Sequence, residues 1–301
     1  VKIFGSTSGS IIADYPFSGN ANDVSGNNLH GQPNGALLTA DRFGNPQSAY
    51  YFYGGPQHIA VPNSPILNFQ ESITASCWFS AGGLPDKETF LLSHGSWQNR
   101  WKLSITPDKL LRWTVNTLSG IADLDATVAL QVDSFYHVAA TYDGSLLALY
   151  INGELHSYKA LSGLMRTTAV PFLMGQMLPG ETNYNFKGVM DEVKLYDYAL
   201  NPDAVKTLYE TGTVRTEERA GAAPLVLYPN PATEMLTIAL PEQAGALTGI
   251  RAYNLTGQLV LQERTYSTEP VTIEINNWKT GVYTIIGITK NGSFSSWFVK
   301  M

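Results

Sequence analysis

The sequence contains one cysteine, Cys77, in Ala75-Ser-Cys-Trp-Phe79, so no internal disulfide can form and zinc-type Cys/His spacing is absent. Among strand-type neighbours, Cys77 is expected to pack as a small apolar core residue, not to act as a reactive thiol. Charge is sparse too. Only 15% of the 301 residues are Asp, Glu, Lys or Arg, against 11% aromatics. With Gly and Pro throughout, that composition suits many short strands and argues against helical or disordered classes. No run approaches the ~20 apolar residues of a membrane-spanning helix. A basic surplus is also missing: residues 1–221 hold 14 Lys+Arg against 20 Asp+Glu, and residues 222–301 hold 5 of each. Such a chain has no electrostatic reason to seek nucleic acid or an anionic membrane. No Gly-x-Ser-x-Gly elbow occurs and the five His are scattered. His137, inside an apolar run, is expected to be a structural histidine and not a base.

What is present is strand rhythm, and the length predicts about two domains. Tyr50–Tyr53, His58–Val61, Ile73–Phe79, Trp101–Ile105, Leu111–Val115, Tyr136–Tyr142 and Leu146–Ile151 read as strands. Trp78, Trp101 and Trp113 are expected in strand cores. Asn152-Gly153 marks a hairpin, because a type I′ turn needs positive φ at both central residues. One helix is expected, with Asn201 as N-cap, Pro202 at its first position, Val205, Leu208 and Tyr209 on one face, and Gly212 as its stop. Residues 213–224 lose all periodicity and are expected to be a linker, which leaves domains at 1–212 and 225–301. In the second, Met235–Leu240, Gly249–Tyr253, Val271–Ile275, Gly281–Ile288 and Ser293–Lys300 suggest a small antiparallel sandwich. There is no internal repeat or low-complexity tract.

The tail also carries words in a fixed order: Tyr228-Pro-Asn-Pro-Ala232, Tyr253-Asn-Leu-Thr-Gly-Gln258, Lys279-Thr-Gly-Val-Tyr283, and Lys300 one residue from the end. Together they resemble the type A C-terminal sorting domain of the type IX secretion system. The resemblance implies an immunoglobulin-like sandwich that carries its passenger across the outer membrane and is removed by a surface sortase. The matching positions are Tyr228, Pro229, Asn230, Pro231, Gly257, Gly281, Tyr283 and Lys300. None is catalytic; the glycines would serve strand-end turns and the prolines an extended lead-in. No signal peptide stands at Val1, so the chain is expected to be a mature form or a fragment.

A second set of words spans residues 11–212: Ala13-Asp-Tyr-Pro-Phe-Ser-Gly19 running on to Gly31, Tyr136-His-Val-Ala-Ala-Thr-Tyr-Asp-Gly144, Leu149-Tyr-Ile-Asn-Gly-Glu154, and Gly188-Val-Met-Asp-Glu-Val-Lys-Leu-Tyr196. This is similar to the laminin-G-like branch of the concanavalin A-like jelly rolls, an all-β fold shared by lectins, adhesion modules and glycosidases.

Three chemistries follow as expectations. Asn20, Asn22, Asp23, Asn27 and Asn28 crowd oxygen atoms into one loop with Gly19, Gly26 and Gly31, the donor type calcium takes. Strand alternation puts Asp191 on the face of Val189, Val193 and Leu195, where a carboxylate must be paired or metal-bound. The resemblance implies that this loop and this aspartate share a structural calcium, with Asp23, Asn28, Asp191 and carbonyls around Gly31 as ligands. The alternative is that these residues only build turns. Sugar binding needs an exposed aromatic beside amides or charges, and Trp97, Gln98, Asn99, Arg100 and Tyr184 are the candidates, although Trp97 could equally lid the sandwich. Hydrolysis needs two opposed carboxylates about 5–10 Å apart. Hydrolytic relatives place them as Glu-x-Asp-x-Glu on one strand, and Asp123-Leu-Asp125 lacks a third acid and a convincing strand. The sequence therefore points to a non-catalytic, exported glycan-binding or adhesion module, with a glycan or surface protein as ligand and the secretion machinery and sortase as partners. The alternative is an accessory module of a secreted enzyme lying upstream.

Overall fold

A computed structural model describes residues 9–84, 86–212, 225–240, 244–254, 259–289 and 292–301, which fall into two compact units. In the first unit, alternating apolar residues build fifteen strands: β1 (Ile11–Tyr15), β2 (Gln32–Asn34), β3 (Leu37–Thr39), β4 (Ala49–Tyr53), β5 (His58–Val61), β6 (Ile73–Ala81), β7 (Thr89–His94), β8 (Trp101–Ile105), β9 (Leu110–Thr117), β10 (Gly120–Ala129), β11 (Phe135–Tyr142), β12 (Leu146–Ile151), β13 (Glu154–Ala160), β14 (Phe172–Met174) and β15 (Lys187–Tyr196). One sheet runs β13-β12-β11-β6-β15-β4-β3, with β1 also paired to β15, and the other runs β10-β9-β8-β7-β14-β5-β2. Their facing sides bury one apolar core that includes Phe52, Phe79, Trp101, Trp113, Val138, Leu149 and Phe172. Each such side chain contributes roughly 1.5–3 kcal/mol of burial. The indole N–H of Trp113 on β9 donates to the Thr141 carbonyl on β11 at 3.1 Å, a polar tie from one sheet to the other.

The expected hairpin is present, with Asn152 at φ 51° and Gly153 at φ 81°. So is the helix. It comes second in the chain, after the one-turn α1 (Ser96–Asn99); α2 (Pro202–Thr211) is capped where Asn201 Oδ1 accepts the Ala204 N–H at 2.8 Å. Val205 and Leu208 pack on Ala139, Ala148, Tyr150 and Tyr196, so α2 covers part of the outer face of the first sheet. Cys77 is buried in the core, and burial pushes its thiol pKa up. Trp78, between the inward Cys77 and Phe79, corrects the core expectation: it faces outward, stacked on Tyr209 with ring centroids 5.5 Å apart.

The second unit holds β16 (Val226–Tyr228), β17 (Met235–Ala239), β18 (Leu247–Asn254), β19 (Leu259–Ser267), β20 (Val271–Glu274), β21 (Gly281–Thr289) and β22 (Gly292–Lys300). They form sheets β16-β17-β20 and β19-β18-β21-β22 around Leu236, Ile250, Ile273, Ile285 and Phe298. The Tyr-Pro-Asn-Pro word is clamped to the last strand. Asn230 Oδ1 accepts the Val299 N–H at 2.9 Å, and Ala232 exchanges backbone bonds with Val299 and Met301. The Tyr228–Pro229 and Asn230–Pro231 peptides are cis. Gly281 opens β21 opposite Lys300. Tyr283 is buried, and its hydroxyl donates to the Lys279 carbonyl at 2.8 Å. The Tyr-Pro-Asn-Pro-Ala and Lys-Thr-Gly-Val-Tyr words thus tie this sandwich together, and residues 255–258 of the Tyr253–Gln258 word, Gly257 included, lie outside the described residues.

Candidate functional site

The site starts from a turn that only glycine permits. At Gly95, φ is 78°, and an added Cβ would stand 2.8 Å from the Asn99 Cβ. The chain therefore swings out after β7 into α1, which presents Trp97, 45% exposed, and the exposed amides of Gln98 and Asn99. Asn116 on β9 holds this turn in place. Its Nδ2 donates to the Trp97 and Gln98 carbonyls at 3.1 and 3.0 Å, and its Oδ1 accepts from Arg166 Nε at 3.1 Å. One buried amide thereby positions both the aromatic turn and the exposed guanidinium beside it.

Gln98, Asn99, Asn116 and Arg166 line a cleft of about 720 Å³ together with Gln70 and Ile121, among others. Trp97 stands next to it on α1 and is not part of the lining. Leu118 and Ile121, 59% and 50% exposed, supply apolar surface from the β9–β10 hairpin. Several amides, one guanidinium and apolar patches can pack on a ring's apolar face and hydrogen-bond its hydroxyls, and an exposed indole lies one residue away from the lining. Of the expected residues, Gln98 and Asn99 line this cleft and Trp97 does not; the expectation missed Gln70, Asn116, Leu118, Ile121 and Arg166. The one available signal was Leu118, an apolar residue at the tip of a Thr117-Leu-Ser-Gly120 turn.

Arg100 does not join them. It is fully buried, donates to the Arg166 and Phe69 carbonyls, and lies over the Phe69 ring. Burial pulls its pKa down to about 9. It braces the cleft floor and offers nothing to a ligand. Behind it, burial and the Arg100 charge hold His94 neutral, with a pKa of about 3. Tyr184 stands elsewhere, edge-on to Phe90 at 6.2 Å, with its carbonyl accepting the Phe90 N–H. Phe90 and His94 lie at opposite ends of β7, about 13 Å apart at strand rise.

The residues expected to hold calcium do not fit it. Asp23 Oδ1 accepts the Asp14 and Ser25 N–H groups at 3.0 and 2.9 Å; its Oδ2 accepts the Ser25 hydroxyl and the Leu29 N–H at 2.9 and 3.0 Å. Burial opposes its charge, but these bonds outweigh that and hold its pKa below the ordinary range. Asn28 is exposed with φ 57°. Gly31 is required because a Cβ would meet Ile59 at 2.7 Å. Asp191 accepts from Arg42 at 2.7 Å, and a guanidinium there repels a metal cation.

Asp191 is also on the opposite face from the one expected. Met190, Val193 and Leu195 point into the core, and a bulge with Glu192 at φ 46° shifts the alternation between Asp191 and Lys194. It falls where the neighbour of β15 changes from β4 to β1. Among the described residues, no group of three or more His, Cys, Asp or Glu is placed to hold a metal.

Asp123 and Asp125 do lie on a strand, β10, a second correction. Both face outward beside Arg112, which donates to Asp125 at 2.6 and 2.7 Å, while Thr114 donates to Asp123 at 2.5 Å. Glu88 is tied to Lys102 and Ser104 on β8. These three acids are ion-paired or hydrogen-bonded to their neighbours.

Residues 53–206 match the family described as the concanavalin A-like lectin/glucanases superfamily, and residues 226–300 match the secretion system C-terminal sorting domain. No curated protein matches the chain in sequence. Among solved structures, domain 4 of AbnA, a GH43 extracellular arabinanase from Geobacillus stearothermophilus in complex with arabinotriose, aligns at a TM-score of 0.56 and 20% identity, over 67% of this chain and 100% of that one. The binding domain of Paraclostridial Mosquitocidal Protein 1 aligns at 0.56 and 18%, over 92% and 75%. The binding domain of botulinum neurotoxin DC, in complex with SialylT, aligns at 0.54 and 13%, over 95% and 73%. At these identities the likeness is one of fold. The chain belongs to the concanavalin A-like lectin/glucanase superfamily and ends in a secretion-system C-terminal sorting domain.

Proposed function

We propose that the first domain binds a glycan in the cleft between α1 and the β9–β10 hairpin, and that the tail delivers it to the cell surface or the medium. The observation that carries this reading is the cleft lining itself, in which the Gln98, Asn99 and Asn116 amides and the Arg166 guanidinium stand beside apolar Leu118 and Ile121. The half-exposed Trp97 is next to Gln98 on α1. No carboxylate lines the cleft, so the two-acid machinery of glycoside hydrolysis has no footing there and binding is the supported chemistry. The arabinotriose held by the arabinanase domain makes arabino-oligosaccharides the first probes. That relative also favours a second reading, an accessory module serving an enzyme, because its matching segment is one domain of a hydrolase. Export rests on the sorting domain; no described helix is long and apolar enough to cross a membrane.

The test is a glycan array probed with the full chain and with Trp97→Ala. Specific binding weakened about tenfold or more in the variant, with an unchanged melting temperature, is expected. Equal binding by both proteins places the site elsewhere.

A further inference from the structure

The cleft beside α1 carries a charge of one sign. Among the described residues that line it, Arg166 is the one charged group, set among amides, threonines and apolar side chains. The domain around it runs the other way, with 14 Lys+Arg against 20 Asp+Glu in residues 1–221. A cation without a counter-charge in an acidic domain is a local feature and calls for a local partner. Building on the glycan-binding reading of this cleft, we propose that it takes a hexuronic acid residue of an acidic glycan, with the sugar carboxylate on the Arg166 guanidinium.

Arg166 is held along its whole length. Its backbone N–H donates to the Asn116 carbonyl at 3.0 Å, and its own carbonyl accepts from Arg100 Nη1 at 3.0 Å. Just before it, Gln70 Nε2 donates to the Met165 carbonyl at 2.8 Å. The side chain is fixed as well, since Nε donates to Asn116 Oδ1 at 3.1 Å. Asn116 is itself anchored, with its Nδ2 committed to the Trp97 and Gln98 carbonyls. A guanidinium positioned in this way loses little side-chain freedom when a ligand arrives.

What Asn116 leaves over is the outer edge of the fork. Among the described residues, no group accepts a hydrogen bond from either Nη of Arg166, and no Asp or Glu pairs with it. Glu71, adjacent to Gln70, and Asp123, two residues past Ile121, are not part of the lining. Asp123 is held by Arg112 and Thr114 instead. Behind Arg166 stands a second guanidinium, the buried Arg100, whose acceptors are the Arg166 and Phe69 carbonyls and not a carboxylate. Its charge adds to the positive potential at Arg166.

These charges select among sugars. A carboxylate offers two oxygens and a full negative charge to the planar fork, which makes Arg–carboxylate pairs stronger than bonds to a neutral hydroxyl. A neutral sugar engages the Gln98 and Asn99 amides and the apolar Leu118 and Ile121, and leaves the guanidinium charge unanswered. An amino sugar meets like charge. A uronate keeps the ring hydroxyls and apolar ring face that those amides and apolar side chains suit, and adds the ion pair to them.

The experiment is calorimetric titration of the full chain at neutral pH with galacturonate and glucuronate trisaccharides, their methyl esters, and arabinotriose. Esterification removes the charge and keeps the ring, so each acid–ester pair isolates the carboxylate. The better of the two acids is expected to bind at least about tenfold more tightly than its ester and than arabinotriose. Arg166→Gln, at an exposed position, is expected to make acid and ester equal while circular dichroism shows the fold retained. Arg166→Lys, which keeps the charge without the fork, is expected to retain only part of the preference. Lys206→Gln, which removes an equal charge from α2, is expected to change nothing, and so separates a local contact from net charge. Neutral ligands that bind as tightly as the acids, or an Arg166→Gln protein that keeps the preference, overturn the uronate assignment and leave glycan binding standing. Absence of binding by all five ligands also overturns it, and only a silent glycan array overturns glycan binding as well.

Discussion

Two stretches of this domain are crowded with polar residues, and they use them in opposite ways. The loop around Asp23 and the bulge at Asp191 turn their carboxylates toward backbone N–H groups and Arg42, so that the polar atoms hold the fold. The turn at Trp97–Asn99 commits backbone groups, the Trp97 and Gln98 carbonyls to Asn116 and the Asn99 N–H to Gly95, and leaves indole and amide side chains exposed. What separates a binding surface from a scaffold here is whether the side-chain donors and acceptors are already spent.

The contrast is most sharply tested at Arg42. Replacing it with Ala strands a carboxylate whose side chain is 3% exposed, and loss of one partner of a buried pair costs about 3–5 kcal/mol. Chemical denaturation should show that drop, whereas Trp97→Ala should change stability by less than ~0.5 kcal/mol. Comparable losses at both positions would break the distinction.

Asp23→Ala comes next. It deprives the Asp14, Ser25 and Leu29 N–H groups of their acceptor, worth roughly 3 kcal/mol together at the lower end of the cost per group. Chelator is expected to leave the melting temperature of the parent protein where it was. A chelator-induced drop that Asp23→Ala abolishes would return Asp23 to the role of metal ligand.

The smallest effect is in pH. Burial, with the Glu192 charge behind it, pushes the Asp191 pKa up to about 6, above the roughly 3.9 of an unfolded-chain aspartate. The folded state therefore holds this proton more tightly, so the Asp191 contribution to stability rises as pH falls from 7 toward 4. Denaturation of Asp191→Asn at both pH values should show a flatter dependence than the parent. An identical slope would mean that Asp191 titrates normally.

Much of the fold was legible because it depends on local alternation and turn chemistry. His58–Val61, Trp101–Ile105, the Asn152-Gly153 hairpin and the Asn201 cap all read directly from neighbours in sequence. The strands that escaped notice fail for physical reasons. β19 exposes most of its length and so carries weak alternation, and β10 mixes acids into its outer face because Arg112 and Thr114 on the next strand receive them. The cleft was half legible. Trp97, Gln98 and Asn99 announce themselves by composition, whereas Asn116 and Arg166 become neighbours only through a hydrogen bond spanning 50 residues.

The sequence by itself determined the class of fold, the two-domain order, the sorting tail and the aromatic turn, since each depends on short-range periodicity or a contiguous word. Tertiary structure alone decided which polar groups were spent. One extra residue at the β15 bulge turned Asp191 from the core to Arg42, burial turned Arg100 from a candidate ligand contact into a brace, and strand pairing left Tyr184 apart from Trp97. Those outcomes depend on partners distant in the chain, because free energy follows each group's final surroundings and not its neighbours in sequence.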